Sequence, residues 1–437
     1  MATGFVITAK PKTNFTDMLI YLFEWLEGLL GDAPARLMQY ISFRAGVAVI
    51  LSLIISMVFG GRIIRFLQKQ QVGETVRDLG LEGQKKKQGT PTMGGIIIIL
   101  AILIPCILVA DLSNIYIILM IITTIWMASI GFLDDYIKVF RKNKQGLAGR
   151  FKILGQVGLG LLIALAMLMS DGVSVRMKVE DAKKAGISDT QRISEIKLVK
   201  VGDQEVAKAN YKTTLTNVPF IKGNNLDYAK LIPFVKDNAQ NLAWIIFVPF
   251  VIFVVTAVSN AANLTDGLDG LATGVSGIIG AVLAVFAYVS GNVIAADYLN
   301  ILHLPGTGEL VIFAACFLGA CLGFLWYNSF PASVFMGDTG SLTLGGIIAA
   351  MAILLRKELL IPIMCGIFVA ETLSVIIQVS YFKYTKRKYG EGRRILLMSP
   401  LHHHYQKKGM PEVKIVNRFW IVGILLAVFT IITLKIR

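Results

Sequence analysis

The chain has 437 residues, 55% of them hydrophobic and 16% charged, with a mean hydropathy of +0.66. That is too apolar for a water-soluble protein of this length and reads as a polytopic membrane protein. The formal net charge of +15 requires no nucleic-acid partner, because Lys and Arg cluster between apolar runs and so report membrane sidedness.

The four cysteines, Cys106, Cys316, Cys321 and Cys365, all fall inside apolar runs without C-x-x-C spacing; this excludes a disulfide framework and a thiolate metal site. Residues 1–40 form an N-terminal extension. Its short apolar start precedes Lys10 and Lys12, unlike a signal peptide, and Met18 is a candidate native start. Leu19 to Leu30 are amphipathic and acidic, as expected of an interfacial helix. Ten apolar runs follow, at roughly 41–66, 93–111, 114–137, 151–170, 241–260, 268–290, 308–327, 340–355, 359–382 and 418–435, near the ~20 residues that cross a bilayer.

The connections after the first, third and ninth runs are basic: Lys85, Lys86 and Lys87; Lys138, Arg141, Lys142, Lys144 and Arg150; Arg393 and Arg394. Those after the second and sixth contain no Lys or Arg. The positive-inside rule therefore puts the basic connections in the cytoplasm and both termini outside. The expected fold is all-α, with about ten transmembrane helices: helices 1–4 over residues 41–170 and helices 5–10 over 241–437. Between them an extracytoplasmic insertion, about 171–240, shows β-branched alternation at Ile196 to Val201 that predicts a small β-hairpin.

This topology gathers the unusual polar residues on one face. Three loops, Gly89 to Gly95, Asn263 to Gly270 and Phe335 to Ser341, open outward-running spans and are expected to present unpaired helix N-terminal N–H groups, a setting that favours phosphates. Singly, each Thr, Asn or Asp there is an ordinary helix cap, Asp338 included. Asp134 and Asp135 instead close the third run, where the helix dipole disfavours an acid by roughly 0.3–1 kcal/mol. Capping does not account for them. They are either a solvated helix end paired with Lys138 or a cation-holding or proton-accepting pair.

Asp266 and Asp269, three apart, share a face if helical. His402, His403 and His404 are consecutive, the wrong spacing for a helical zinc pair, and suit phosphate or substrate hydroxyls. Glu371, isolated in the ninth run, must face other helices, and no role follows for it. Acids for Mg2+, helix N-termini and Lys87 for phosphates, and a spare carboxylate as base point to phosphoryl chemistry. The apolar surroundings imply a lipid substrate. A transporter would instead place its polar breaks at the bilayer midplane in two corresponding halves.

Five ordered motifs, Gly89-Thr-Pro-Thr-Met-Gly-Gly95, Asp134-Asp-Tyr-Ile-Lys138, Asn263-Leu-Thr-Asp-Gly-Leu-Asp-Gly270, Phe335-Met-Gly-Asp-Thr-Gly-Ser341 and Pro400-Leu-His-His-His404, resemble the polyprenyl-phosphate N-acetylhexosamine-1-phosphate transferases. The triple histidine and the Thr-Pro-Thr-Met-Gly-Gly loop are similar to the phospho-N-acetylmuramoyl-pentapeptide branch more than to the branch transferring N-acetylglucosamine phosphate. The resemblance covers Met18 to Arg437. It implies transfer of phospho-MurNAc-pentapeptide from UDP-MurNAc-pentapeptide to undecaprenyl phosphate, yielding lipid I and UMP for peptidoglycan synthesis. It also implies Mg2+ as cofactor, a multi-pass location in the bacterial inner membrane among membrane lipid, a site on the cytoplasmic face, and room for a homodimer.

By the same resemblance Asp338 would hold the metal and be catalytic with Asp134 and Asp135, one of that pair deprotonating the lipid phosphate. Lys87, Thr92, Lys138, Asn263, Asp266, Asn328, Phe335, His402, His403 and His404 would bind substrate, with Phe335 able to stack on uracil. Direct attack by the lipid phosphate and a covalent aspartyl intermediate both satisfy these residues.

Overall fold

The computed structural model describes residues 37–70, 89–143, 145–201, 204–220, 224–232 and 242–435. The expected interfacial helix at Leu19 to Leu30, and Lys87, lie outside these. Among the described residues nine helices are long and apolar enough to cross a membrane. In chain order the helices are α1 (Ile41–Lys69), α2 (Gly95–Val109), α3 (Ile115–Val139), α4 (Gly149–Met169), α5 (Val179–Lys184), α6 (Trp244–Thr265), α7 (Leu271–Gly291), α8 (Val293–Leu299), α9 (Gly308–Asn328), α10 (Gly337–Leu354), α11 (Ile361–Met364), α12 (Gly366–Tyr389), α13 (Leu401–Lys407) and α14 (Glu412–Ile432).

Each of the ten expected spans falls on one of these helices. The second is α2, a shorter apolar helix with Pro105 inside it. The ninth starts later than expected, because Glu358 to Met364 form a 3-10 turn and the one-turn α11, with Pro362 near its start. The tenth starts earlier, at Glu412, where Pro411 supplies the extended N-cap.

Helix α10 is the axis of the bundle: 89% of its apolar window is buried, against 28% for α1 and for α12. It packs against α2, α3, α6 and α7. Small residues allow this. Gly345 lies against the backbone of Val258 and Ser259 on α6, and Gly346 against Met127 on α3, so helices meet by van der Waals contact where hydrocarbon gives little hydrophobic drive. The outer helices turn Ile50, Phe66, Leu154, Ile376, Ile421 and Leu425 outward, as a lipid environment permits.

The segment after α4 contains β1 (Val175–Lys178), β2 (Lys197–Val201) and β3 (Gln204–Tyr211) in an antiparallel sheet of order β1-β3-β2, and a second pair, β4 (Leu215–Asn217) with β5 (Asn225–Asp227). The expected hairpin is β2–β3, closed at Val201 and Gln204. This layer docks on one end of the bundle. The Arg176 N–H donates to the His303 carbonyl at 2.9 Å, Lys208 pairs with Asp297 at 2.7 Å, and the Asn217 N–H donates to the Arg356 carbonyl at 3.1 Å. Arg356, Lys357 and Glu358, just past α10, are buried beneath it. The Tyr228 hydroxyl donates to Glu358 at 2.9 Å, and burial pulls the Lys357 ammonium down to about 7.

Candidate active site

The polar cluster lies at the other end of the bundle, where four helix ends converge. α3 contributes Asp134, Asp135 and Lys138 from its last turns, α4 contributes Lys152 from its first turn, α6 contributes Asn263, and α10 contributes Asp338 from its first turn. The three carboxylates each offer an oxygen within 4.8 Å of the others. Lys138 reaches Asp134 at 2.5 Å and Asp338 at 3.2 Å; Lys152 reaches the same two acids at 2.9 and 2.7 Å. Asn263 donates to the other oxygen of Asp338 at 2.9 Å and to Ser341 at 2.9 Å.

This convergence depends on helices touching at glycine. A Cβ on Gly131 would collide with the Asp338 carbonyl, and one on Gly95 with the Gly340 backbone. Gly131→Ala is therefore expected to push the first turn of α10 off α3. It should lower stability by about 1–3 kcal/mol, as overpacking does, and reduce turnover at least about tenfold by displacing Asp338. Melting temperature and product release, measured together, check this; normal values for both would show that the crossing yields freely.

Two expectations are corrected by the geometry. Asp135 does cap a helix, though not its own: it accepts the N–H of Asp338 at 3.1 Å, the N–H of Thr339 at 2.8 Å and the Thr339 hydroxyl at 2.6 Å. A carboxylate at the C-terminus of α3 is thus stabilised at the positive N-terminus of α10. Asp338 sits in the first turn of α10 and spends its side chain on the lysines and Asn263, so it is not the cap. At the starts of α2 and α10, some of the N–H groups expected to face phosphate are already spent. Those of Asp338 and Thr339 go to Asp135, and those of Gly94 and Gly95 donate to the carbonyls of Phe335 and Met336 at 2.9 Å each.

The remaining expected residues fall in a ring around the cluster. Thr92 is buried beside Gly337 and Asp135. Phe335 is half-buried, its N–H donating to the Pro91 carbonyl at 2.8 Å. Asn263 lies in the last turn of α6 and Asp266 is its C-cap, while α7 starts only at Leu271; Asp266 and Asp269 lie in the turn between, so the condition for a shared helix face is not met. Asn328, expected to bind substrate, is 3% exposed. Its oxygen accepts from the Gly270 N–H (3.1 Å) and the Thr273 hydroxyl (3.0 Å), and its nitrogen donates to the Val334 carbonyl (3.0 Å). It ties three segments together from behind.

His402, His403 and His404 lie on the short helix α13, so their side chains diverge. His402 is buried against Glu371 and Gly267, His403 faces Gln406 at 2.7 Å, and His404 accepts the Leu397 N–H at 3.1 Å.

Lys152 and Thr339 were missed. The first stands among other basic residues that read as positive-inside charge, so nothing local marks it. The second is an ordinary helix-start threonine whose partner lies 204 residues away.

An all-oxygen donor set suits a hard divalent cation, and the three acids could hold one. Three carboxylates against two ammoniums leave a formal charge of −1, so the cluster still attracts a cation while presenting lysines to phosphate.

A profile described as glycosyl transferase family 4 matches residues 205–356, and the phospho-N-acetylmuramoyl-pentapeptide-transferase signature 1 matches residues 87–99. The chain is 57% identical over 420 residues to the phospho-N-acetylmuramoyl-pentapeptide-transferase of Flavobacterium psychrophilum, covering 96% of this chain and 100% of the relative. It is 56% identical over 420 residues to that of Flavobacterium johnsoniae and 57% over 435 residues to that of Parabacteroides distasonis, with the same coverage. Identity of this order along the whole length, together with the motif loops that build the acidic cluster, shows that the chain belongs to the phospho-N-acetylmuramoyl-pentapeptide transferases.

Proposed function

We infer that this protein moves phospho-MurNAc-pentapeptide from UDP-MurNAc-pentapeptide to undecaprenyl phosphate, forming lipid I and releasing UMP. The observation that carries this reading is the single cluster of Asp134, Asp135, Asp338, Lys138 and Lys152 at the end of a membrane bundle, in a chain of that family. A phosphate oxygen of the lipid attacks the β-phosphorus of the nucleotide sugar; the bond to the UMP oxygen breaks as the new P–O bond forms.

Both reactants are anionic, so charge neutralisation dominates the barrier. Lys138 and Lys152 supply it, and Mg2+ held on Asp338, the most exposed acid of the three (16% against 0% for Asp134), would supply more when bound. Proton removal matters less. A phosphate monoester has a second pKa near ~6 and is mostly dianionic at pH 7. Asp134 and Asp135 already accept several donors, which makes them poor nucleophiles and favours direct attack over an aspartyl intermediate. Asp135 positions Asp338 through the start of α10. Thr92, Asn263, Asp266, Phe335, His403 and His404 are assigned to the nucleotide-sugar side, with His402 buried behind them, and the motif that carries the family resemblance adds Lys87 to the set. The site faces the cytoplasm of a bacterial inner membrane, supported by Lys138, Arg141, Lys142 and Arg150 beside it.

The test is purified protein with UDP-MurNAc-pentapeptide, undecaprenyl phosphate and Mg2+, which should release UMP. No UMP, alongside robust turnover of UDP-GlcNAc, would overturn the branch assignment.

A further inference from the structure

Glu371, Gln378 and Thr385 stand seven residues apart on α12, two turns each, and so on one face. They are 0%, 7% and 1% exposed on a helix that is otherwise turned largely outward. All three are spent on the chain that follows. The Thr385 hydroxyl accepts the Arg393 N–H at 2.8 Å. Gln378 accepts the N–H groups of Ile395 and Leu396 at 3.1 and 3.0 Å and donates back to the Leu396 carbonyl at 3.0 Å. One Glu371 oxygen lies 3.1 Å from His402 Nδ1 and 3.5 Å from the His402 N–H. This polar seam lays residues 393–402 along α12 and ends at a histidine.

Beyond the seam, His402 is 0% exposed, and its Nε2 edge packs against Gly267, where a Cβ would collide with the ring. Gly267 belongs to the turn between α6 and α7, two residues past the helix that carries Asn263, the amide bonded to Asp338. A carboxylate oxygen 3.1 Å from Nδ1 favours the proton on that nitrogen, which leaves Nε2 as the acceptor. A carboxylate inside an apolar span is costly unless it is used. A glutamine would fill the same space and accept the same backbone N–H without that cost, so packing and capping alone do not account for the acid.

We propose that Glu371 is a positioning residue of the transferase site: it fixes the ring orientation and tautomer of His402, and His402 in turn holds the 266–270 turn against the cluster. This rests on the transferase reading above. Its effect runs through His402 to the nucleotide-sugar side, leaving the lipid side untouched.

The test is a double-mutant cycle on the full-length enzyme in nanodiscs. Glu371→Leu should raise KM for UDP-MurNAc-pentapeptide about tenfold, with KM for undecaprenyl phosphate unchanged. In a His402→Ala background the same substitution should change neither value, because it acts through the missing ring. Glu371→Gln should keep the fold and recover part of the loss. It should also move the ring nitrogen shifts of one histidine in 15N-histidine-labelled enzyme, a readout that needs neither turnover nor the leucine variant.

A Glu371→Leu effect that adds in full to that of His402→Ala, or that raises both KM values alike, would overturn the proposal. So would unmoved histidine shifts in Glu371→Gln. Absence of UMP release by the unsubstituted enzyme would sink the transferase reading itself, while the shifts would still report on the Glu371–His402 coupling.

Discussion

Asp338→Asn is expected to lower UMP release about a thousandfold or more while the bundle stays assembled. The substitution preserves volume, and the asparagine oxygen can still accept from Asn263, which now bonds Asp338 at 2.9 Å. The other oxygen is the one that Lys138 and Lys152 both reach, at 3.2 and 2.7 Å. Replacing it by an NH2 group turns a donor toward two ammoniums and removes one negative charge, taking the formal balance of the cluster from −1 to 0. The two lysines would remain neutralised by Asp134, whose oxygens they meet at 2.5 and 2.9 Å, so the loss should fall on catalysis more than on folding. Removing one preorganised charged group costs about 10²–10³-fold, and on the proposed metal role the loss of a ligand adds to this. The measurement is UMP release across an Mg2+ titration, with a melting curve on the same sample. A variant that turns over normally with unchanged Mg2+ dependence would take Asp338 out of the metal role.

The transmembrane layout was legible because apolar runs of near-bilayer length have one stable solution in lipid, and the expected spans all coincide with helices. Their ends were less so: residues 359–364 read as part of a span, yet belong to a 3-10 turn and the one-turn α11. Asp134, Asp135 and Asp338 could be nominated from chemistry, since acids at span ends are unusual. Their division of labour could not. Whether Asp135 caps a helix depends on the first turn of α10 arriving 203 residues later, and no local spacing encodes that. The seven-residue spacing of Glu371, Gln378 and Thr385 was visible in the chain, but it acquires meaning only when residues 393–402 fold back along α12. Lys152 was hidden for a different reason. Its neighbours Lys138, Arg141, Lys142 and Arg150 explain themselves as positive-inside charge, and one more cation among them carried no extra signal.

Lys152 is the residue whose replacement should separate these two kinds of lysine. If it were only a sidedness charge, Lys152→Met would leave turnover and stability near normal, because surface cations away from special features contribute within about 0.5 kcal/mol. Its position says otherwise. The ammonium is 19% exposed and lies within 2.9 Å of a fully buried carboxylate and within 2.7 Å of Asp338. Removing one partner of a buried ion pair typically costs about 3–5 kcal/mol. Here Lys138 remains on both acids and the Leu147 N–H still donates to Asp134 at 2.7 Å, so the stability loss should fall below that range.

Catalysis has no such reserve. With one lysine gone the cluster carries a formal charge of −2, and two phosphates must approach it. A fall in UMP release of about 10²-fold or more is expected, on the scale of deleting one electrostatic stabiliser of the transition state. Lys152→Arg should recover only part of it, because a planar guanidinium cannot reproduce a point charge shared between two carboxylates. Initial rates for both variants, set beside their melting temperatures, distinguish the outcomes. Near-normal rates in Lys152→Met would mean that Lys138 alone neutralises the site and that Lys152 serves the fold.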